Sequence, residues 1–74
     1  MFEEIVEVLK RAFPDMDLSQ ITEDTRLVDD LGFDSLATIM LSMELEETFN
    51  FRFDEFVRFE TAGDVAKYIE SRVK

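Results

Sequence analysis

The 74-residue chain contains no cysteine and no histidine, and it has only two glycines. Without cysteine there is neither a disulfide nor a thiolate metal site, so the core must be held by packing alone. Without histidine, no serine has the usual base that would turn it into a nucleophile. Gly32 and Gly63 cannot supply a glycine-rich loop of the kind that cradles nucleotide phosphates. Basic residues are also scarce: eight Lys and Arg stand against 18 Asp and Glu, a net charge of −10. That balance disfavours nucleic acid, whose phosphates attract basic faces. No apolar run approaches the ~20 residues of a membrane span, and Glu3, Glu4 and Glu7 interrupt the pattern a signal peptide would need. A soluble, cytoplasmic protein without membrane insertion is expected.

What remains is rich in core material, with 46% hydrophobic residues and eight phenylalanines. A chain of this length forms one domain, residues 1–74, and buries roughly 60% of the surface its unfolded form exposes. A large enclosed active site is not expected. Phe2, Ile5, Val6, Leu9 and Phe13 return to one side of a first helix that ends near Pro14. From Asp15 to Asp34 the periodicity lapses, giving a long connection that Leu18, Ile21, Leu27, Val28 and Leu31 are expected to pin to the core.

A second helix is read from Ser35 to about Asn50, with Asp34 as its cap. At ~100° per residue, its apolar side chains form two stripes. Leu36, Ile39, Met40 and Met43 lie on one side, and Leu41, Leu45 and Phe49 on the other. One stripe enters the core. The other is either wrapped by the rest of a small bundle or left for a partner, a use that suits adaptable methionine. Phe51-Arg52-Phe53 reads as a connector, and Asp54 as the cap of a short helix bearing Phe56, Val57 and Phe59. Thr61 and Asp64 have capping-box spacing ahead of a last helix running to the C-terminus through Val65, Tyr68, Ile69 and Val73. The expected fold is all-α: a small four-helix bundle, three longer helices and a short one, with a long loop between the first two.

Ser35 stands where the acidic loop turns into the second helix. With no base to activate it, it reads as an attachment point, and the N–H groups of a helix start favour a phosphate esterified there. Between Arg26 and Arg52 there is no Lys or Arg, while Asp29, Asp30, Asp34, Glu44, Glu46 and Glu47 fall in that interval. The acids either keep the chain soluble or steer basic partners to it. Metal chemistry finds no pattern. Asp15, Asp17 and Ser19 imitate a calcium loop, but Gln20 replaces its glycine and Arg26 its final glutamate. No catalytic residue and no metal ligand is assigned.

Asp30-Leu31-Gly32-Phe33-Asp34-Ser35-Leu36 resembles the prosthetic-group attachment motif of the acyl carrier proteins. Leu45-Glu46-Glu47-Thr48-Phe49 and Thr61-Ala62-Gly63-Asp64-Val65, followed by Tyr68-Ile69, resemble later landmarks of that family, and the similarity spans essentially the whole chain. The resemblance implies a free-standing carrier, not an enzyme. Its Ser35 would hold a 4′-phosphopantetheine arm from coenzyme A, flanked by Asp34 and Leu36 as cofactor-site residues. It implies a phosphopantetheinyl transferase, acyltransferases and ketosynthases as partners, whose basic patches would meet Leu36, Met40, Met43, Glu46 and Glu47 on a monomeric carrier. Fatty-acid, polyketide or related lipid synthesis is the implied setting. Ala37 and Met40 stand where fatty-acid carriers often have acids. The aromatic run at Phe51, Phe53, Phe56 and Phe59 is expected to fill core or to reshape an acyl cavity. An aminoacyl or peptidyl carrier, and an acidic interaction module that is never modified, are the alternatives.

Overall fold

The computed structural model describes residues 1–73, in which the helices are α1 (Phe2–Ala12), α2 (Ser35–Phe49) and α3 (Ala62–Val73). Position 74, the end of the expected last helix, lies outside the described residues. α1 forms because Ile5, Val8 and Leu9 recur on one side and are fully buried, while Glu3 and Glu4 in its first turn and Lys10 and Arg11 in its last complement the helix dipole. Val8 belongs to this buried set, whereas Val6 and Phe13 are only half-buried. α1 packs against both α2 and α3, which meet each other more sparsely. Leu41 and Leu45 of α2 join Val65, Ala66 and Ile69 of α3 in the shared core.

Residues 13–34 carry the chain from α1 to α2. Leu18, Leu27 and Phe33 from this stretch are buried, and the Phe13 and Phe33 rings sit 5.0 Å apart. Val28 does not pin the loop as expected. It is 54% exposed, while Leu27 before it and Phe33 at the end of the turn are the residues of this stretch that enter the core. The connection is also stitched to the start of α3. Leu27 N–H donates to Glu60 O (3.0 Å), Ala62 N–H to Thr25 O (2.9 Å) and Gly63 N–H to Glu23 O (2.8 Å). A Cβ on Gly63 would lie 2.9 Å from Glu23 O, so this approach needs glycine. Thr61 and Asp64 make the reciprocal bonds of a capping box, each side chain accepting the other's backbone N–H at 3.1 Å.

The expected short helix over 54–59 does not form, and the chain has three helices among its described residues. Residues 51–60 instead run as an irregular connector whose aromatic rings converge on Tyr68 of α3. Phe53 stacks on Tyr68 at 5.3 Å, Phe59 meets it edge-on at 5.5 Å and Phe51 meets Phe53 at 4.8 Å. Burying rings at both 51 and 53 calls for the two-residue period of extended backbone, and the stretch left over is too short to nucleate a helix on its own. Asp54 caps nothing. Its carboxylate faces Arg72 Nη2 at 4.0 Å, and Arg72 in turn lies over the Phe51 and Tyr68 rings and donates to Arg52 O at 2.8 Å. Phe51, Phe53 and Phe59 thus pack half-buried against the core, whereas Phe56 is 62% exposed.

Candidate functional site

The turn ahead of α2 aims its residues individually. Asp30 closes it twice: its carboxylate accepts Arg26 N–H at 2.8 Å, and its own N–H donates to Arg26 O at 2.9 Å. Gly32 takes the left-handed conformation (φ 74°), which reverses the chain at little steric cost, and donates to Val28 O at 3.0 Å. Phe33 N–H then reaches Leu27 O at 2.9 Å and its ring drops into the core. Asp34 follows in extended conformation as the N-cap, its carboxylate accepting Ala37 N–H at 2.8 Å while its carbonyl accepts Thr38 N–H at 3.0 Å.

Ser35 is therefore the first helical residue, exposed, with a hydroxyl that has no hydrogen-bond partner among the described residues. The N–H groups of Ser35 and Leu36 also lack an acceptor among the described residues, so the positive end of the α2 dipole is open beside that hydroxyl. The acids do not converge on Ser35. Asp29 reaches Arg26 Nη1 at 3.4 Å, Asp30 is occupied in the turn and Asp34 in the cap. An open groove of about 400 Å³ adjoins the hydroxyl, lined by Val28, Phe33, Asp34, Ser35, Thr38, Phe56 and Arg58. These residues come from three separate stretches. Val28, Phe56 and Arg58 carry no local motif that would have assigned them to Ser35, and only the fold brings them there.

The two stripes of α2 have opposite fates. Leu41 and Leu45 are buried and Phe49 is half-buried. Leu36 (64% exposed), Ile39 (47%), Met40 (39%) and Met43 (63%) form an open apolar strip leading away from Ser35. No part of the described chain wraps that side. Ile39 joins the strip beyond the partner residues expected from sequence.

The acids beside the strip are unequal. Glu47 is exposed. Glu46 is largely used within the chain: its carboxylate accepts Phe53 N–H at 2.8 Å and lies 3.8 Å from Arg52 Nη1, which holds the connector against α2. Glu44 pairs with Arg11 at 3.4 Å, and Arg11 also donates to the Thr48 hydroxyl, tying α2 to α1. Away from the site, Asp17 accepts the backbone N–H and then the hydroxyl of Ser19, bonds that hold its carboxyl below the ordinary value of 3.8.

Comparison with known proteins identifies the family of the chain. Residues 3–69 match the family described as phosphopantetheine attachment site. The acyl carrier protein of Wolinella succinogenes is 37% identical over 73 residues, covering 96% of this chain and 95% of that protein. That of Helicobacter pylori is 39% identical over 72 residues, covering 95% and 91% respectively. The acyl carrier protein of Thermotoga maritima is 40% identical over 60 residues, covering 78% and 74%. No helix of the described residues is long and apolar enough to cross a membrane.

Proposed function

Since this chain belongs to the phosphopantetheine-attachment family, among the acyl carrier proteins, we propose that Ser35 bears its 4′-phosphopantetheine arm. The protein then carries acyl groups between enzymes of fatty-acid, polyketide or a related lipid synthesis. The observation that supports Ser35 most directly is its exposed, unpartnered hydroxyl at the capped start of α2. When bound, the arm supplies a terminal thiol that holds acyl groups as thioesters.

The chain's own residues hold and present that arm. Asp34 fixes the first turn of α2, so Ser35 Oγ points from a rigid helix start rather than from a loose loop. The free N–H groups of Ser35 and Leu36 stabilise the negative phosphodiester there. No residue of this chain acts as the base. The hydroxyl proton leaves to a group of the phosphopantetheinyl transferase as the Oγ–phosphorus bond forms and the nucleotide half of coenzyme A departs. Leu36, Met40 and Met43, with Glu47 beside them and Glu46 at the edge, offer apolar contact and negative charge to the basic docking patches of acyltransferases and ketosynthases. The carrier works as a monomer in the cytoplasm and leaves catalysis to those enzymes.

Incubation with coenzyme A and a broad-specificity phosphopantetheinyl transferase tests the assignment by mass spectrometry. The native chain should gain the mass of one arm and Ser35→Ala none. A native chain that gains nothing, or an equal gain in both, removes Ser35 as the attachment site.

A further inference from the structure

Three exposed large apolar residues lie off the α2 strip; Val73 ends α3, and the other two meet in one place. Val28 (54% exposed) comes from the first connection and Phe56 (62%) from the second, and both line the groove that opens beside Ser35. The same groove contains Arg58. In a chain with ten more acids than bases, most cations find a carboxylate: Lys10, Arg11, Arg26, Arg52 and Arg72 each lie within 4.0 Å of one. Arg58 does not pair among the described residues, although Glu55 and Glu60 are close in sequence. Lys67 is also unpaired, but it sits on α3 beside a different groove, with Glu3, Glu23 and Glu70. Among the described residues, Arg58 is thus the one cation lining the groove next to Ser35, and it pairs with none of their carboxylates.

From this arrangement we infer that the groove is the resting place of the arm on this carrier. Arg58 pairs with the phosphodiester at Ser35, and Val28 and Phe56 cover the apolar part of the arm that follows. The inference rests on Ser35 as the attachment site. Guanidinium suits the role because its planar fork bonds two phosphate oxygens at once, which a lysine ammonium does not. The connector at 50–61 supports it as well. By staying irregular instead of forming a helix, it leaves the Phe56 ring exposed at the groove while Phe51, Phe53 and Phe59 pack half-buried against the core.

The test is NMR of the apo and holo chain, after mass spectrometry has established modification. In the holo form, the geminal methyl groups of the arm should show NOEs to the Phe56 ring and the Val28 methyls. The ³¹P resonance should move in Arg58→Gln, return part of the way in Arg58→Lys, and move in the native chain as salt rises towards 1 M, where the Debye length is about 3 Å. Phe56→Ala should remove the ring NOEs and leave the ³¹P salt response in place. A holo chain whose arm shows no NOE to Phe56 or Val28, with a ³¹P resonance indifferent to both Arg58→Gln and salt, overturns the resting place and leaves the attachment site intact. A native chain that gains no mass overturns both.

Discussion

The two faces of α2 consist of the same kinds of residue and live in opposite surroundings. Leu45 is fully buried against the core, while Leu36, nine positions earlier, is 64% exposed. The difference is not one of hydrophobicity. α1 packs on α2 and ties to it through Arg11 to Glu44 and Thr48, whereas Leu36, Ile39, Met40 and Met43 stay exposed among the described residues. One set of leucines therefore stabilises the fold. Leu36, with Ile39, Met40 and Met43, is left exposed, which is where the proposed partners would dock.

The sharpest way to break this comparison is to truncate each face. Leu45→Ala should cost about 2–5 kcal/mol of unfolding free energy in a denaturant titration, against about 0.5 kcal/mol or less for Met43→Ala. Equal losses would mean that something covers the outer face. A second large effect lies at the start of α3, where Gly63→Ala should cost about 1–3 kcal/mol because its Cβ meets the backbone of Glu23 at 2.9 Å. A neutral result would show that the loop and α3 are not held as closely as the Glu23 contact implies.

The start of α2 gives a finer contrast between adjacent residues. Asp34→Ala should lower stability by about 1 kcal/mol through loss of the cap, while Ser35→Ala changes the melting temperature little, since its hydroxyl bonds nothing in the apo chain. Met40→Glu should leave both stability and arm attachment near native and slow acyl transfer by the carrier's own partner. Unchanged transfer kinetics would remove Met40 from the docking strip.

The smallest effect is at Asp17. Its depressed pKa means that its contribution is present above the unfolded value and is lost as pH falls through the lower folded one. Asp17→Asn should flatten the acid limb of a stability-against-pH curve only below about pH 4.

Much of this was legible from residue order. Asp34 as a cap, the Thr61–Asp64 box, the limits of α2 and the two stripes all follow from local rules that involve neighbours within one turn. The misses share a different cause. The sequence pattern puts Val28 against the core and Phe56 in a short helix, because apolarity and spacing cannot say which members of a set win the limited core volume. Phe51, Phe53 and Phe59 filled the space around Tyr68 first. Glu46 looked like one more surface acid, and its bond to Phe53 N–H spans a chain reversal that a helical wheel does not represent.

By itself the sequence determined a small acidic helical chain with a serine at a helix start and no histidine or cysteine; that it resembles the acyl carrier proteins rests on the Asp30–Leu36 motif and its later landmarks. Those properties depend on residue type and on spacings of three or four. Only the tertiary structure decided which side of α2 stays open, that the connector at 50–61 is not a helix, and that Arg58 shares a groove with Ser35. Each is a competition between distant segments for the same buried space, and its outcome is set by packing among residues that sequence proximity never brings together.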